Sequence, residues 1–275
     1  MIFLLLAALF LGVGLYSALK VQRYTVVSGR ITRPVRIAVL ADLHACRCGS
    51  GQRTLIDAVD AQKPDLVVIP GDFFDDFTSD ENAEAALRGL AGRYPCYYTT
   101  GNHECWTGDE FFMRKMALLE KYGVKRLRGA PETVSVGNCR LNVAGVDDPD
   151  ASRICCVDGG YDGFDAQLDR ARPENGLFTL LISHRPEAFS RYAARGFDLV
   201  LCGHAHGGQW RIPGLLNGVY APNQGLFPKY AGGLYRAGST VMIVSRGLTR
   251  LSEGVPRFYN RPELVVVDLV PEQNP

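Results

Sequence analysis

The sequence predicts an α/β fold whose strands are covered on both faces. Two observations carry this. Short, continuous runs of Val, Ile and Leu alternate with segments of helical apolar spacing, and the runs are too uniformly apolar for a sheet with one wet face. The composition agrees: of 275 residues, 47% are hydrophobic and 21% charged, the make-up of a folded chain rather than a disordered one. With 30 Lys and Arg against 29 Asp and Glu the net charge is +1, which excludes a nucleic-acid partner bound through a basic face. No protein partner is predicted.

In chain order, residues 35–41 read as a buried strand, 52–62 as a helix, 65–70 as a second strand, 80–92 as a helix and 96–99 as a third strand. Residues 177–182 and 197–202 read as two more, with a helix at 186–194 between them. Residues 241–245 and 264–269 are further strands, and 212–238, dense in Gly and Pro, reads as a long irregular connection of the kind that often carries function.

Five of these strands end in polar motifs. Asp42-Leu-His44 follows the first, Gly71-Asp72-Phe-Phe-Asp75 the second and Gly101-Asn102-His103-Glu104 the third. Ser183-His184 follows the strand at 177–182, and Gly203-His204-Ala-His206 the strand at 197–202. Loops at strand carboxyl ends converge in α/β sheets, and ligands bind there. All 5 histidines of the chain lie in these segments. One such histidine is most often structural; five beside Asp and Asn read as a metal centre. Mixed carboxylate, imidazole and amide donors suit Mn, Fe, Zn or Ni, and there are more donors than one ion can use, so two divalent ions are implied.

The 8 cysteines do not suggest disulfides, because a chain of this size needs no staples. Cys96 and Cys202 fall in apolar strands, and the spacings Cys46-x-Cys48 and Cys155-Cys156 do not fit a zinc knuckle.

Residues 1–19 carry no charge and are long enough, at about 28 Å as a helix, to match a bilayer core. Nothing basic precedes the run and no small-residue cleavage site follows it, which favours an uncleaved transmembrane anchor over a signal peptide. Residues 20–34 then read as a basic juxtamembrane linker and 35–275 as the catalytic domain. Lys20, Arg23, Arg30, Arg33 and Arg36 all follow the apolar run, so the positive-inside rule puts the domain on the cytoplasmic side of a bacterial inner membrane as a single-pass protein, with the basic stretch against anionic lipid.

The ordered set DLH, GDFFD, GNHE, SH and GHAH resembles the five signature motifs of the calcineurin-like metallophosphoesterases, over nearly all of residues 35–270. The extension GHAHGGQWRIP, with AP-Q-G-FPKY and SRG, is similar to the membrane-anchored bacterial branch of that superfamily. The resemblance implies two stacked mixed β-sheets flanked by helices. It implies that Asp42, His44 and His206 hold one metal, that Asn102, His184 and His204 hold the other, and that Asp72 bridges them. A water between the ions would lose a proton near neutral pH and attack phosphorus. His103 would stabilise the transition state or protonate the leaving oxygen, and Asp75 would accept from a histidine ring and fix its tautomer. Glu104 receives no role.

Phe73, Phe74, Phe77, Trp106, Phe111, Phe112 and Trp210 flank the motifs, either as packing beneath them or as an aromatic wall for a lipid or base. The function expected is a binuclear-metal phosphoester hydrolase, a phosphodiesterase or pyrophosphatase working at the membrane surface on a lipid-linked phosphoester. A UDP-2,3-diacylglucosamine pyrophosphatase of lipid A synthesis is a narrower alternative. An inactive binding module built on the same metal fold is the rival from another class; the completeness of the ligand set speaks against it.

Overall fold

The computed structural model describes residues 1–154, 161–252 and 254–272; Cys155 and Cys156 lie outside them. The apolar runs form two mixed six-stranded sheets. The first has the order β1-β16-β2-β3-β4-β5, from Lys20–Ser28 (β1), Glu263–Pro271 (β16), Val35–Val39 (β2), Leu66–Pro70 (β3), Cys96–Thr99 (β4) and Lys125–Arg126 (β5). The second has the order β12-β13-β9-β8-β7-β6, from Gly233–Ala237 (β12), Thr240–Val244 (β13), Leu199–Cys202 (β9), Phe178–Ile182 (β8), Cys139–Gly145 (β7) and Glu132–Val136 (β6). Parallel pairs dominate both centres, while β16/β2, β12/β13 and β6/β7 are antiparallel.

Alternation along each strand explains why the runs are apolar throughout. Ile37, Val39, Leu66 and Val68 of the first sheet meet Leu180, Ile182, Leu199 and Leu201 of the second in one central core. Their neighbours Ala38, Val67 and Ile69 point outward against helices α2 (Arg53–Gln62) and α3 (Glu81–Leu90), and Leu181 and Val200 against α6 (Phe164–Arg170) and α7 (Phe189–Ala194). Both faces of every central strand are dry, as in sheets covered on both sides. The two mixed sheets expected from the resemblance are present, stacked through this core.

The N-terminal expectations need correction. The apolar run is not one spanning helix: α1 covers Ile2–Gly14 only, 13 residues or about 20 Å. Among the described residues, no helix is long and apolar enough to cross a membrane. The chain turns after Gly14, whose carbonyl accepts from the Tyr259 N–H, to reach the sheet edge. Nor are residues 20–34 a linker. Lys20–Ser28 is a strand, parallel to β16 from Lys20 opposite Glu263 to Ser28 opposite Pro271. Its basic neighbours are spent within the domain: Arg36 pairs with Asp268 at 2.6 Å, Arg30 with Asp198 at 2.6 Å, and Arg23 and Arg33 lie 3.9 Å from Asp268 and Asp65. These arginines thus pair with carboxylates of the domain, and the positive-inside rule has no spanning helix among the described residues to act on.

Candidate metal centre

Short connections after β2, β3, β8 and β9, and the short helix α4 (Asn102–Trp106) after β4, bring the motif residues together. The backbone there is unusual: Asp42, His44, Asp72, His204 and His206 all have positive φ, between 47° and 69°. Such conformations are costly for residues with a Cβ and gather at functional sites. Gly101 is required for another reason: a Cβ there would sit 2.2 Å from Asp72 Oδ1.

Asp72 is central. Its Oδ2 lies 3.6 Å from His44 Nε2 and 3.0 Å from His184 Nε2. On one side Asp42, His44, Asp72 and His206 present ligand atoms all within 4.8 Å of one another, and on the other Asp72, His184 and His204 do the same. Asn102 joins the second group, its Oδ1 3.1 Å from His184 Nε2. The rings are aimed from behind. His44 Nδ1 lies 3.2 Å from Asp75, and His184 Nδ1 donates to the Pro70 carbonyl at 2.8 Å, which leaves each Nε2 facing inward.

The site is buried and its protonation is divided. Burial holds the Asp42 carboxyl above its ordinary range. For Asp72 burial acts the same way, but the imidazoles of His184, His103 and His44 win and hold it well below. Burial would lower His44 and His184; the carboxylates, Asp75 and Asp72 foremost, instead raise them to about 9 and about 10. Burial, then the cationic His184 and His44, push His204 and His206 well down.

This pattern fits metal ions. Asp42 Oδ2 and His206 Nδ1 are buried without a hydrogen-bond partner, an arrangement that is expensive unless a cation satisfies it. Facing imidazole nitrogens are 3.3 Å apart in His44–His206 and 3.0 Å apart in His184–His204, room for one proton or a neighbouring cation but not two protons.

His103 stands beside the cluster, its ring edge-on to His44 at 4.5 Å, with Trp106 at 4.8 Å. Both open onto a cavity of about 560 Å³ lined also by His44, Cys46, Asp75, Asp76, Phe77, Thr78, His206, Thr249 and Gly254.

A family model for calcineurin-like phosphoesterase matches residues 35–208, the stretch that carries all five motifs. The chain belongs to that family. It is a hydrolase acting on phosphoesters. An uncharacterized metallophosphoesterase of Aquifex aeolicus is 29% identical over 91% of this chain and 92% of its own length. Phosphodiesterase YaeI of Escherichia coli is 29% identical over 86% of this chain and 83% of its own. A Bos taurus transmembrane protein with metallophosphoesterase domain is 30% identical over 92% of this chain but 58% of its own. Among solved structures the fold resembles Haemophilus influenzae NAD nucleotidase, at TM-score 0.54 and 16% identity over 78% of this chain and 45% of that one.

Four residues of this phosphoesterase escaped the sequence reading. Glu104, fully buried, accepts from the Asp72 N–H at 3.0 Å, the Phe74 N–H at 2.9 Å and the Gly101 N–H at 2.8 Å, tying two motif loops together. Asp76 takes the His103 Nδ1–H at 2.6 Å. Asn223, from the irregular connection, accepts from His204 Nε2 at 2.7 Å, and Arg185, buried on Asp148, lies 3.1 Å from the same nitrogen. Only the acidic character of Glu104 and Asp76 beside motif residues could have signalled them; for Asn223 no local signal exists. The aromatics divide: Phe73, Phe74 and Phe112 are packed away, whereas Phe77, 93% exposed, and Trp106 line the cavity.

Proposed function

We propose that this phosphoesterase uses two divalent metal ions, chosen among Mn, Fe, Zn and Ni, one held by Asp42, His44 and His206 and the other by Asn102, His184 and His204, with Asp72 shared. The observation that carries the reading is Asp72 Oδ2, a buried carboxylate oxygen 3.6 Å from His44 Nε2 in one donor cluster and 3.0 Å from His184 Nε2 in the other. When bound, such ions supply positive charge to a phosphoryl group and acidify water. The remaining work falls to side chains. Asp75, the Pro70 carbonyl and Asn223 hold the rings of His44, His184 and His204 with the ligand nitrogen turned inward. With Nδ1 of His103 committed to Asp76, the proton it can give to a leaving oxygen is the one on Nε2.

The substrate proposed is a phosphodiester or pyrophosphate presented at a bacterial membrane surface, with a lipid portion. The E. coli relative's name, phosphodiesterase, supports the bond class. The cavity, walled by Phe77 and Trp106 and within the usual size of small-ligand sites, supports an apolar or aromatic substituent. The test is to load the purified full-length protein with Mn, count bound metal, and assay bis(p-nitrophenyl) phosphate, a cyclic nucleotide, a glycerophosphodiester and UDP-diacylglucosamine. Turnover with about two ions bound supports the proposal. Two bound ions without hydrolysis of any phosphoester would replace it with the binding-module reading, and equal efficiency on the soluble diesters would reject the lipid portion.

A further inference from the structure

Three segments far apart in the sequence make one apolar surface beside the metal centre. The ring of Phe10 in helix α1 packs on Phe258 at 5.5 Å and Tyr259 at 5.2 Å, and Phe258 on Trp210 at 6.3 Å. Hydrogen bonds close the join: Arg211 N–H to the Phe258 carbonyl at 2.9 Å and Trp210 Nε1–H to the Pro256 carbonyl at 3.0 Å. Around this seam large apolar side chains face outward, among them Phe3 at 79%, Leu215 at 83%, and Leu226 and Phe227 at 68% exposure. Large apolar side chains left exposed on segments joined in this way mark a docking surface.

Its charge says what docks. Residues 1–20, 209–233 and 255–262 contain no Asp or Glu, yet they carry Lys20, Arg211, Lys229, Arg257 and Arg261. Arg257 is buried. The other four stand in no ion pair among the described residues, unlike Arg23, Arg30, Arg33 and Arg36. Arg211 bonds to Asn217, and Arg261 caps the carbonyls of Ala18 and Leu19 over the Tyr16 ring. Exposed apolar side chains on segments that carry bases outside any described ion pair, and no acid of their own, are complementary to an anionic lipid surface.

We propose that α1, the 209–227 excursion and the 255–262 loop form one face that lies on an anionic bilayer without crossing it. Asn260 donates to the carbonyls of His206 at 2.7 Å and Gln209 at 3.1 Å, so the face is bolted to the loop of a metal-ligand histidine. The inference deepens the membrane-substrate part of the reading above and rests on it only for what the contact delivers.

The test is flotation of the full-length protein with vesicles of phosphatidylcholine alone or with about one-third phosphatidylglycerol, which reads no hydrolysis and so fails independently of the catalytic reading. Wild type should float with the anionic vesicles and at least about tenfold less with the neutral ones. Leu215→Glu with Leu226→Glu, and separately Leu4→Glu with Leu9→Glu, should each lower partitioning by about tenfold or more while circular dichroism stays unchanged. Loss in the helix variant alone would make α1 an isolated anchor and overturn the shared face. Equal binding to neutral vesicles would overturn the anionic assignment. A wild-type dimer that the Leu215/Leu226 variant dissociates, with no vesicle binding, would assign the face to a second copy instead.

Discussion

His103 Nδ1 lies 2.6 Å from Asp76 Oδ1, while Asp75, one residue earlier, is 3.7 Å from the same nitrogen and 3.2 Å from His44 Nδ1. Adjacent carboxylates thus serve different rings, one behind His44, a proposed metal ligand, and one behind His103, the proposed proton donor. Asp76→Ala should lower kcat by about 10–100-fold with KM and metal content unchanged, and His103→Ala by about 10²–10⁴-fold, again with metal retained. Steady-state kinetics with metal analysis of the same samples checks both; loss of metal in Asp76→Ala would show that the carboxylate supports the ligands instead.

Asp72→Asn should remove both bound ions and nearly all turnover. The substitution takes away the charge that faces both donor clusters, with His44 3.6 Å and His184 3.0 Å from its Oδ2. Retention of two ions by the variant, measured by plasma emission after dialysis, would contradict the shared-ligand role.

Asn223→Ala should weaken metal binding by about 10–100-fold, the usual effect of losing a group that orients a ligand ring. Without the acceptor at 2.7 Å, nothing commits the His204 proton to Nε2, and Nδ1 is no longer reserved for the metal. Chelator competition would detect the change, and an unaltered affinity would dismiss it.

Glu104→Gln should destabilise the fold by about 1–3 kcal/mol, since even with the amide oxygen toward the Asp72 and Gly101 N–H groups its NH2 faces the Phe74 N–H. Urea unfolding measures this directly, and a shift below about 0.5 kcal/mol would mean that the loops hold without the clamp.

In the metal-free protein His44 and His184 are raised to about 9 and about 10 from 6.5. A raised histidine binds its proton more tightly folded than unfolded, so its contribution is complete below pH 6.5 and is lost as the pH rises through 9–10. His204 and His206 are lowered, so they are neutral when folded and, once the pH is well above 6.5, neutral when unfolded too. The metal-free protein should therefore lose stability between pH 6.5 and 10, while metal affinity rises over the same interval and binding releases protons. Calorimetry in two buffers of different ionisation heat counts those protons, and a count of zero would refute the assignment.

Much of this was legible along the chain. The central strands β2, β3, β4, β8 and β9 announced themselves because residues dry on both faces leave unbroken apolar runs, and the polar residues just past their ends named the donors that the fold brings together. The edges were not legible. Lys20–Ser28 looked like a linker because a half-exposed edge strand carries charge, and pairing with Glu263–Pro271 uses backbone atoms that every residue has. The apolar run at 1–19 was long enough to span a bilayer, yet the turn after Gly14 depends on Phe258 and Tyr259, some 250 residues on. The same holds for the partners behind the ligands. Which carboxylate meets His103, and that Asn223 meets His204, depends on loops packed against each other in three dimensions. By itself the sequence determined the fold class and the donor inventory, because both are written in local residue chemistry. The tertiary structure decided the aim of each ring and the end of the first helix, because those are set by contacts between segments that the chain keeps far apart.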